Sequence, residues 1–327
     1  MAASAESLAF AKTDEQRARR DGFADRTFRR IVASAGIFVL ITLAGVALTT
    51  LWGGREAFAT FGFKFLVSSE WDTVGKQFGA LAPVYGTLVT AAIALLIAVP
   101  ISFGIALYLT EIAPNWLRTP VGSAIELLAG IPSIIYGMWG LFVFVPIMGR
   151  YVIPWLNDHV GNWPIIGALF RGPPLGLGML TAGIVLAIMV IPFISSVMRE
   201  VFLTVPTRLK ESAYALGSTT WEVAWDIVLP YTRTAVIGGV FLGLGRALGE
   251  TMAVTFVLGN VHRLSLSLLE PGNSIAATIA NEFAEADSEI FRSSLIALAF
   301  LLFVVTFIVL AIAKLMLRQM EKREGKA

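Results

Sequence analysis

The chain has 327 residues, 56% of them hydrophobic and only 15% charged, with 25 Lys and Arg against 23 Asp and Glu. That much apolar side chain exceeds what a soluble domain of this length buries, so a bilayer is its natural solvent. With no cysteine and two widely separated histidines, His159 and His262, disulfides and the usual His/Cys metal clusters are excluded, and a net charge of +2 gives no basis for nucleic-acid binding.

Residues 1–30 hold Lys12, Arg17, Arg19, Arg20, Arg26, Arg29 and Arg30 among Asp14, Glu15, Asp21 and Asp25. No small-residue cleavage site follows a short apolar core, so this reads as a retained cytoplasmic tail rather than a cleaved signal or a transit peptide. Six apolar segments then reach the roughly 20 residues that cross a hydrocarbon core of about 30 Å. They are 31–52, 82–110, 121–148, 178–198, 233–258 and 291–317, followed by a tail at 318–327. The expected fold is therefore all-α, a polytopic membrane domain over 31–317. With the N-terminus inside, 17 Lys and Arg fall in the cytoplasm, seven fall outside, and Arg246 is left within the membrane. The excess of positive charge puts both termini in the cytoplasm. Pro100, Pro132, Pro146 and Pro192 interrupt the spans, as helix kinks in a transporter bundle or as the ordinary proline content of membrane helices.

The outer stretches, 53–81, 149–177 and 259–290, are too short for independent domains, so substrate capture falls to another protein. Glu126, near the cytoplasmic end of the third span, fits either a place lining a path or one at the membrane interface. The second outer stretch, with Pro154, Pro164, Pro173 and Pro174 beside Trp155 and Trp163, reads as an interfacial loop with tryptophans at headgroup level. In the third, Pro271-Gly272-Asn273-Ser274 precedes Ile275–Ala280, a turn and then a capped short helix.

Between the fourth and fifth spans, the loop 199–232 contains ESAYALGSTTWEVAWDIVLP, Glu211 to Pro230. Pro206 stands where a helix can begin, Arg208–Leu216 are good helix formers, and Gly217 supplies the left-handed residue that ends a helix without a Cβ penalty. Thr219 with Glu222 makes a capping box, so a second helix starts at once and runs until Pro230 halts it. On geometry alone, such a pair of short helices is an amphipathic connector. The order Glu211, Ser212, Ala213, then Gly217, then Ile227 after nine intervening residues, closed by Leu229-Pro230, resembles the EAA loop of ABC-importer permeases, with Ser212 where alanine is usual. The resemblance implies that the helix around Glu211–Leu216 docks in a groove of a cytoplasmic ATPase. No G-x-x-x-x-G-K-[ST] run occurs in the chain, so no cofactor is expected here, and ATP with magnesium belongs to that partner.

The fifth span, Gly238 to Asn260, carries Arg246 about 13 residues into a helix of about 26, near the bilayer midplane. An unpaired charge there costs at least about 2.5–3.5 kcal/mol. Glu250 follows at i+4, where the two side chains can pair. Such a pair either locks the helix against its neighbours or serves a path: arginine's fork of donors matches a tetrahedral oxyanion, and the carboxylate offsets the attraction so that a bound anion can leave. Gly239 with Gly243, and Gly245 with Gly249, form overlapping G-x-x-x-G patterns that predict close helix packing.

Three runs, Ile125–Phe142, Gly243–Asn260 and Pro271–Ala286, together resemble the PstC-type permeases of bacterial phosphate importers over about residue 31 to the end. That resemblance implies a six-span type I ABC-importer (MetI-like) fold in a bacterial inner membrane. It also implies a sister permease of PstA type, an ATPase dimer of PstB type and an external phosphate-binding protein of PstS type. An ABC permease for sulfate or molybdate would share the coupling loop without needing Arg246 and Glu250 here. A secondary transporter needs no such loop, and no repeat supports one. An intramembrane enzyme lacks support, since neither H-E-x-x-H nor G-x-S-x-G is present.

Overall fold

The computed structural model describes residues 2–164 and 166–323, with side chains at 25, 27–164 and 166–319. Six helices are long and apolar enough to cross a membrane: Thr27–Gly53, Leu81–Ile112, Ser133–His159, Met179–Leu203, Thr220–Leu248 and Glu289–Gln319. They are called spans one to six below. The only strands among the described residues are a two-residue hairpin, Trp71–Asp72 against Gln77–Phe78, so the chain is all-α in substance. It divides into two compact units between Trp52 and Gly53. The first lies within one helix, Ala2–Gly53, whose apolar part from Thr27 is unburied and presents side chains such as Phe38 and Leu40 on all sides, as lipid exposure permits. Residues 324–327 of the expected C-terminal tail lie outside the described residues.

In the second unit, span four is the core helix. Within its most apolar window 61% of residues are buried, against 28% or less in the other spans, so it is the helix the others pack around. Small residues on span two, Ala91, Ala94 and Ala98, share its buried cluster with Leu186 and Val190. Gly183 admits Ile93, and the Ser102 hydroxyl donates to the Ile191 carbonyl at 3.1 Å, a polar tie that suits helices in lipid. The outward residues Leu96, Phe142 and Phe307 stand more than two-thirds exposed, a surface suited to acyl chains rather than water.

Two spans differ from the sequence reading. The expected third span 121–148 straddles a break at Gly130–Pro132: Asn115–Ala129 is a separate amphipathic helix, and the span runs Ser133–His159, taking in the start of the expected outer loop. Proline and the residue before it disfavour a continuous helix there. The expected fifth span 233–258 is two helices, Leu229–Leu248 and Met252–Leu258, parted at Gly249–Thr251. Its first helix begins far earlier, at Thr220, because Pro230 does not halt the loop helix as expected.

The reason lies just upstream of the proline. Val223–Val228 is π-helical, and Leu229 donates its N–H to the Ala224 carbonyl. Three other π segments, Tyr108–Ile112, Gly140–Phe144 and Met148–Val152, stand in the same relation to Pro114, Pro146 and Pro154, with Ala113, Val145 and Ile153 donating five residues back. A proline ring collides with the carbonyl of the preceding turn in a regular helix, and a wider turn moves that carbonyl away. At Pro146, Pro154 and Pro230 proline and π turn thus form a paired device that bends the helix without ending it, whereas at Pro114 the helix stops.

The outer segments cap the bundle through polar contacts. Ser274 caps the short helix Ile275–Glu282 by accepting from the Ala277 N–H. Glu282 accepts from the Trp71 indole at 2.7 Å and lies 2.7 Å from Nε2 of His262, whose ring stacks on Trp71. Gly86 on span two lets the Asn273 carbonyl approach to within 1.9 Å of where a Cβ would sit.

Candidate functional site: two helix breaks and a coupling loop

Arg246 occupies the last turn of Leu229–Leu248, immediately before the break at Gly249. Its guanidinium carbon lies 5.2 Å from the ring centroid of Phe193 on span four, a cation–π contact that holds the half-buried side chain in place. Tyr136 on span three donates to the Leu128 carbonyl at 3.0 Å, bridging the other break at Gly130–Pro132. The two half-helices meet at Gly137, where a Cβ would lie 2.8 Å from Phe256 and 3.0 Å from the Met252 carbonyl. A cavity of about 260 Å³, lined by Ile131, Ile135, Tyr136, Trp139 and Ile188, adjoins the tyrosine. Two interrupted helices facing one cation are an arrangement tolerated at membrane depth only where protein or a water-filled path surrounds the freed backbone.

Glu250 is not the partner expected for Arg246. Among the described residues no ion pair joins the two, because the helix ends between them and the i+4 spacing no longer places them on one face. The carboxylate instead accepts from the Ala253 N–H at 3.3 Å, satisfying one of the free donors that open Met252–Leu258. Glu126 sits on the separate helix Asn115–Ala129, exposed, and pairs with Arg199 at 3.4 Å near the end of span four. The glycines divide. A Cβ at Gly239 or Gly243 would come within 2.9 Å of Val197 or 2.5 Å of Ile194, whereas Gly245 meets nothing nearer than Leu310 at 3.9 Å and Gly249 nothing nearer than its own turn at 3.6 Å. Only the first pattern receives another helix closely enough to exclude a side chain.

The loop folds as two helices around a tight turn. Thr207–Ala215 ends in a Schellman motif: Gly217, at φ +92°, donates to Tyr214, and Ser218 donates to Ala213. Thr219 and Glu222 then form a reciprocal capping box, with the Glu222 carboxylate accepting from the Thr219 N–H at 2.7 Å. Glu211 and Ser212 are exposed, Ala213 is buried against the bundle, Ile227 packs on the same core and Pro230 is exposed. Facing outward are Leu216 at 88% exposure, Trp221 at 64% and Trp225 at 49%, the two indoles stacked with centroids 5.5 Å apart. Sequence reasoning passed over one further contact: Lys210 Nζ lies 2.5 Å from Glu111 Oε1, tying the loop helix to the end of span two. Its residues are 99 positions apart, so no local spacing signals it.

Residues 99–322 match the family model described as binding-protein-dependent transport system inner membrane component. The chain is 67% identical over 306 residues, 94% of each chain, to the phosphate transport system permease protein PstC of Xylella fastidiosa. In fold it is similar to a chain of a bacterial alginate ABC transporter in complex with an alginate-bound periplasmic protein (TM-score 0.55, 17% identity, 94% of this chain and 98% of that one). It is similar also to a chain of the MetNI methionine ABC transporter (TM-score 0.53, 15% identity, 73% of this chain and 95% of that one).

Proposed function

The chain belongs to the family of binding-protein-dependent transport system inner membrane components, and from that premise we propose that it is the PstC-type permease subunit of an ATP-driven phosphate importer. It is a multi-pass protein of the bacterial inner membrane, and it contributes transport rather than hydrolysis. The observation that carries the coupling role is the outward face of Leu216, Trp221 and Trp225 on a turn made rigid by Gly217 and the Thr219/Glu222 box. Aromatic side chains left in water beside a fixed helix are what a protein partner buries. That partner is a cytoplasmic ATPase dimer of PstB type, which holds the ATP and magnesium. A sister permease of PstA type completes the path, and an external protein of PstS type delivers phosphate. This places the loop and both termini in the cytoplasm, with 1–30 and 318–327 as tails, in agreement with the Lys and Arg distribution.

Phosphate passes Arg246. The guanidinium offers paired donors to a tetrahedral oxyanion, and the Phe193 ring fixes its direction. Glu250, uncoupled from it by the break, tempers the local positive potential through space instead of by contact, so that the anion binds and is released. ATP-driven movement of the loop rocks the spans between two access states. Glu126 is a lining or positioning group near the cytoplasmic mouth, while Gly239 and Gly243 hold span five against span four. The experiment is ATP-dependent uptake by the reconstituted complex with phosphate, sulfate and molybdate in competition. Phosphate should be taken up and the other two should compete weakly. Preferred uptake of sulfate or molybdate would replace phosphate as cargo, and ATP-independent uptake would remove the importer reading.

A further inference from the structure

We propose that the Lys210–Glu111 ion pair is a latch that makes span two move with the coupling loop; this rests on the importer reading above and adds two positioning residues to it. The loop helix Thr207–Ala215 is joined to the bundle at both of its ends and by one ion pair. Its N-terminal connection runs through Thr204–Pro206 to span four. Its C-terminal one runs through Thr220–Leu248 and is interrupted by the wide turns Val223–Val228 ahead of Pro230, where a helix bends most readily. Neither reaches span two, and the ion pair does: Lys210 Nζ lies 2.5 Å from Glu111 Oε1, the two side chains only 15% and 5% exposed. Ala213 adds an apolar contact beside it. Apolar surfaces can slide past one another at little cost. A shielded ion pair cannot, since separating it strands two charges away from water.

Helix-end electrostatics supply an independent argument. Glu111 lies in the π turn Tyr108–Ile112 that closes span two, where unpaired carbonyls favour a cation, and Lys210 lies in the first turn of Thr207–Ala215, where unpaired N–H groups favour an anion. Each charge therefore stands at the wrong end of its own helix. Local preference explains neither, and each is satisfied by the other. Span two packs along span four for most of its length, so a push delivered at Glu111 moves span two together with the core helix, to which Thr204–Pro206 also joins the loop, while span five flexes at its proline.

The test measures phosphate uptake and ATP hydrolysis by the purified complex, using this chain as wild type, Glu111→Gln, Lys210→Met and the reversal Glu111→Lys with Lys210→Glu. Each single variant should retain its ATPase and keep hydrolysing while phosphate moved per ATP falls by about tenfold, the pair being what transmits the stroke. The reversal suits both helix ends and should restore the ratio. The latch is overturned if single variants keep the wild-type ratio, if they lose uptake and hydrolysis in proportion, or if the reversal assembles without restoring the ratio. Should the single variants fail to assemble, the reversal decides alone: a wild-type ratio supports the latch and failure overturns it. The wild-type complex, run alongside, tests the importer reading separately. If it moves no phosphate, the importer reading fails, and the latch is judged on the ATP-driven displacement of a spin label on span two, which the single variants should lose and the reversal restore.

Discussion

The N–H of Leu229 donates to the carbonyl of Ala224, and the next residue is Pro230. This relation turns the end of the coupling loop into a built bend instead of a stop, because the helix passes through the proline into span five. A loop moved by a partner is therefore continuous with the helix that carries Arg246, with one weak joint between them.

Alanine at 230 restores the missing donor and removes the ring, so the wide turn can tighten to α pitch. Pro230→Ala should keep or raise the thermal stability of the detergent-purified chain, retain the ATPase, and lower phosphate uptake per ATP. Wild-type coupling in this variant would mean that the bend plays no part in the cycle.

Gly217 has a positive φ, yet nothing lies within 4 Å of a Cβ placed on it. The whole cost of a substitution is thus conformational, about 1–2 kcal/mol for an ordinary side chain in the left-handed region. Gly217→Val should reduce co-purifying ATPase by up to about tenfold, while Gly217→Asn, which tolerates that region, should stay near wild type. Equal yields from the two variants would show that the turn is not held in this geometry in the complex.

The loop was legible because its chemistry is local: Gly217, Thr219 and Glu222 each act on backbone groups within a few residues. The number of spans was legible because membrane thickness fixes their length. The two breaks were not. At Gly130–Pro132 the proline was visible, but a kink and a full break share that local signal, and at Gly249–Thr251 no proline marks the site; what brings the two half-helices together is the approach of Met252 and Phe256 to Gly137, which only the packed bundle supplies. For the same reason the i+4 spacing of Arg246 and Glu250 misled, since it presumes an unbroken helix. Nor can spacing pair Lys210 with Glu111.

Of the two glycine patterns only one meets span four. Gly243→Val would drive methyl groups into Ile194, an overpacking that costs about 1–3 kcal/mol and is hard to relieve between two long helices. Gly245→Ala has room, and it replaces glycine by a better helix former, worth up to about 1 kcal/mol. Thermal unfolding of the purified chain should show a lowered transition for the first variant and an unchanged or raised one for the second. A lowered transition for Gly245→Ala alone would mean that span six, whose Leu310 stands 3.9 Å from that Cβ position, packs more closely there.

Arg246 and Glu250 can be separated by what each does in the fold. Arg246→Gln loses the charge and the cation–π contact at a half-buried site, so the complex should assemble while uptake falls to background. Glu250→Gln keeps an oxygen for the Ala253 N–H and so should melt with the wild type, whereas Glu250→Ala forfeits that cap, at a cost of about 1 kcal/mol. With the charge gone and the cap intact, Glu250→Gln isolates the electrostatic role: the guanidinium, no longer tempered, should hold phosphate longer and slow its release. Uptake should therefore fall without loss of stability. Unchanged uptake in Glu250→Gln would reduce Glu250 to a helix cap, and unchanged uptake in Arg246→Gln would take the anion's route away from this break altogether.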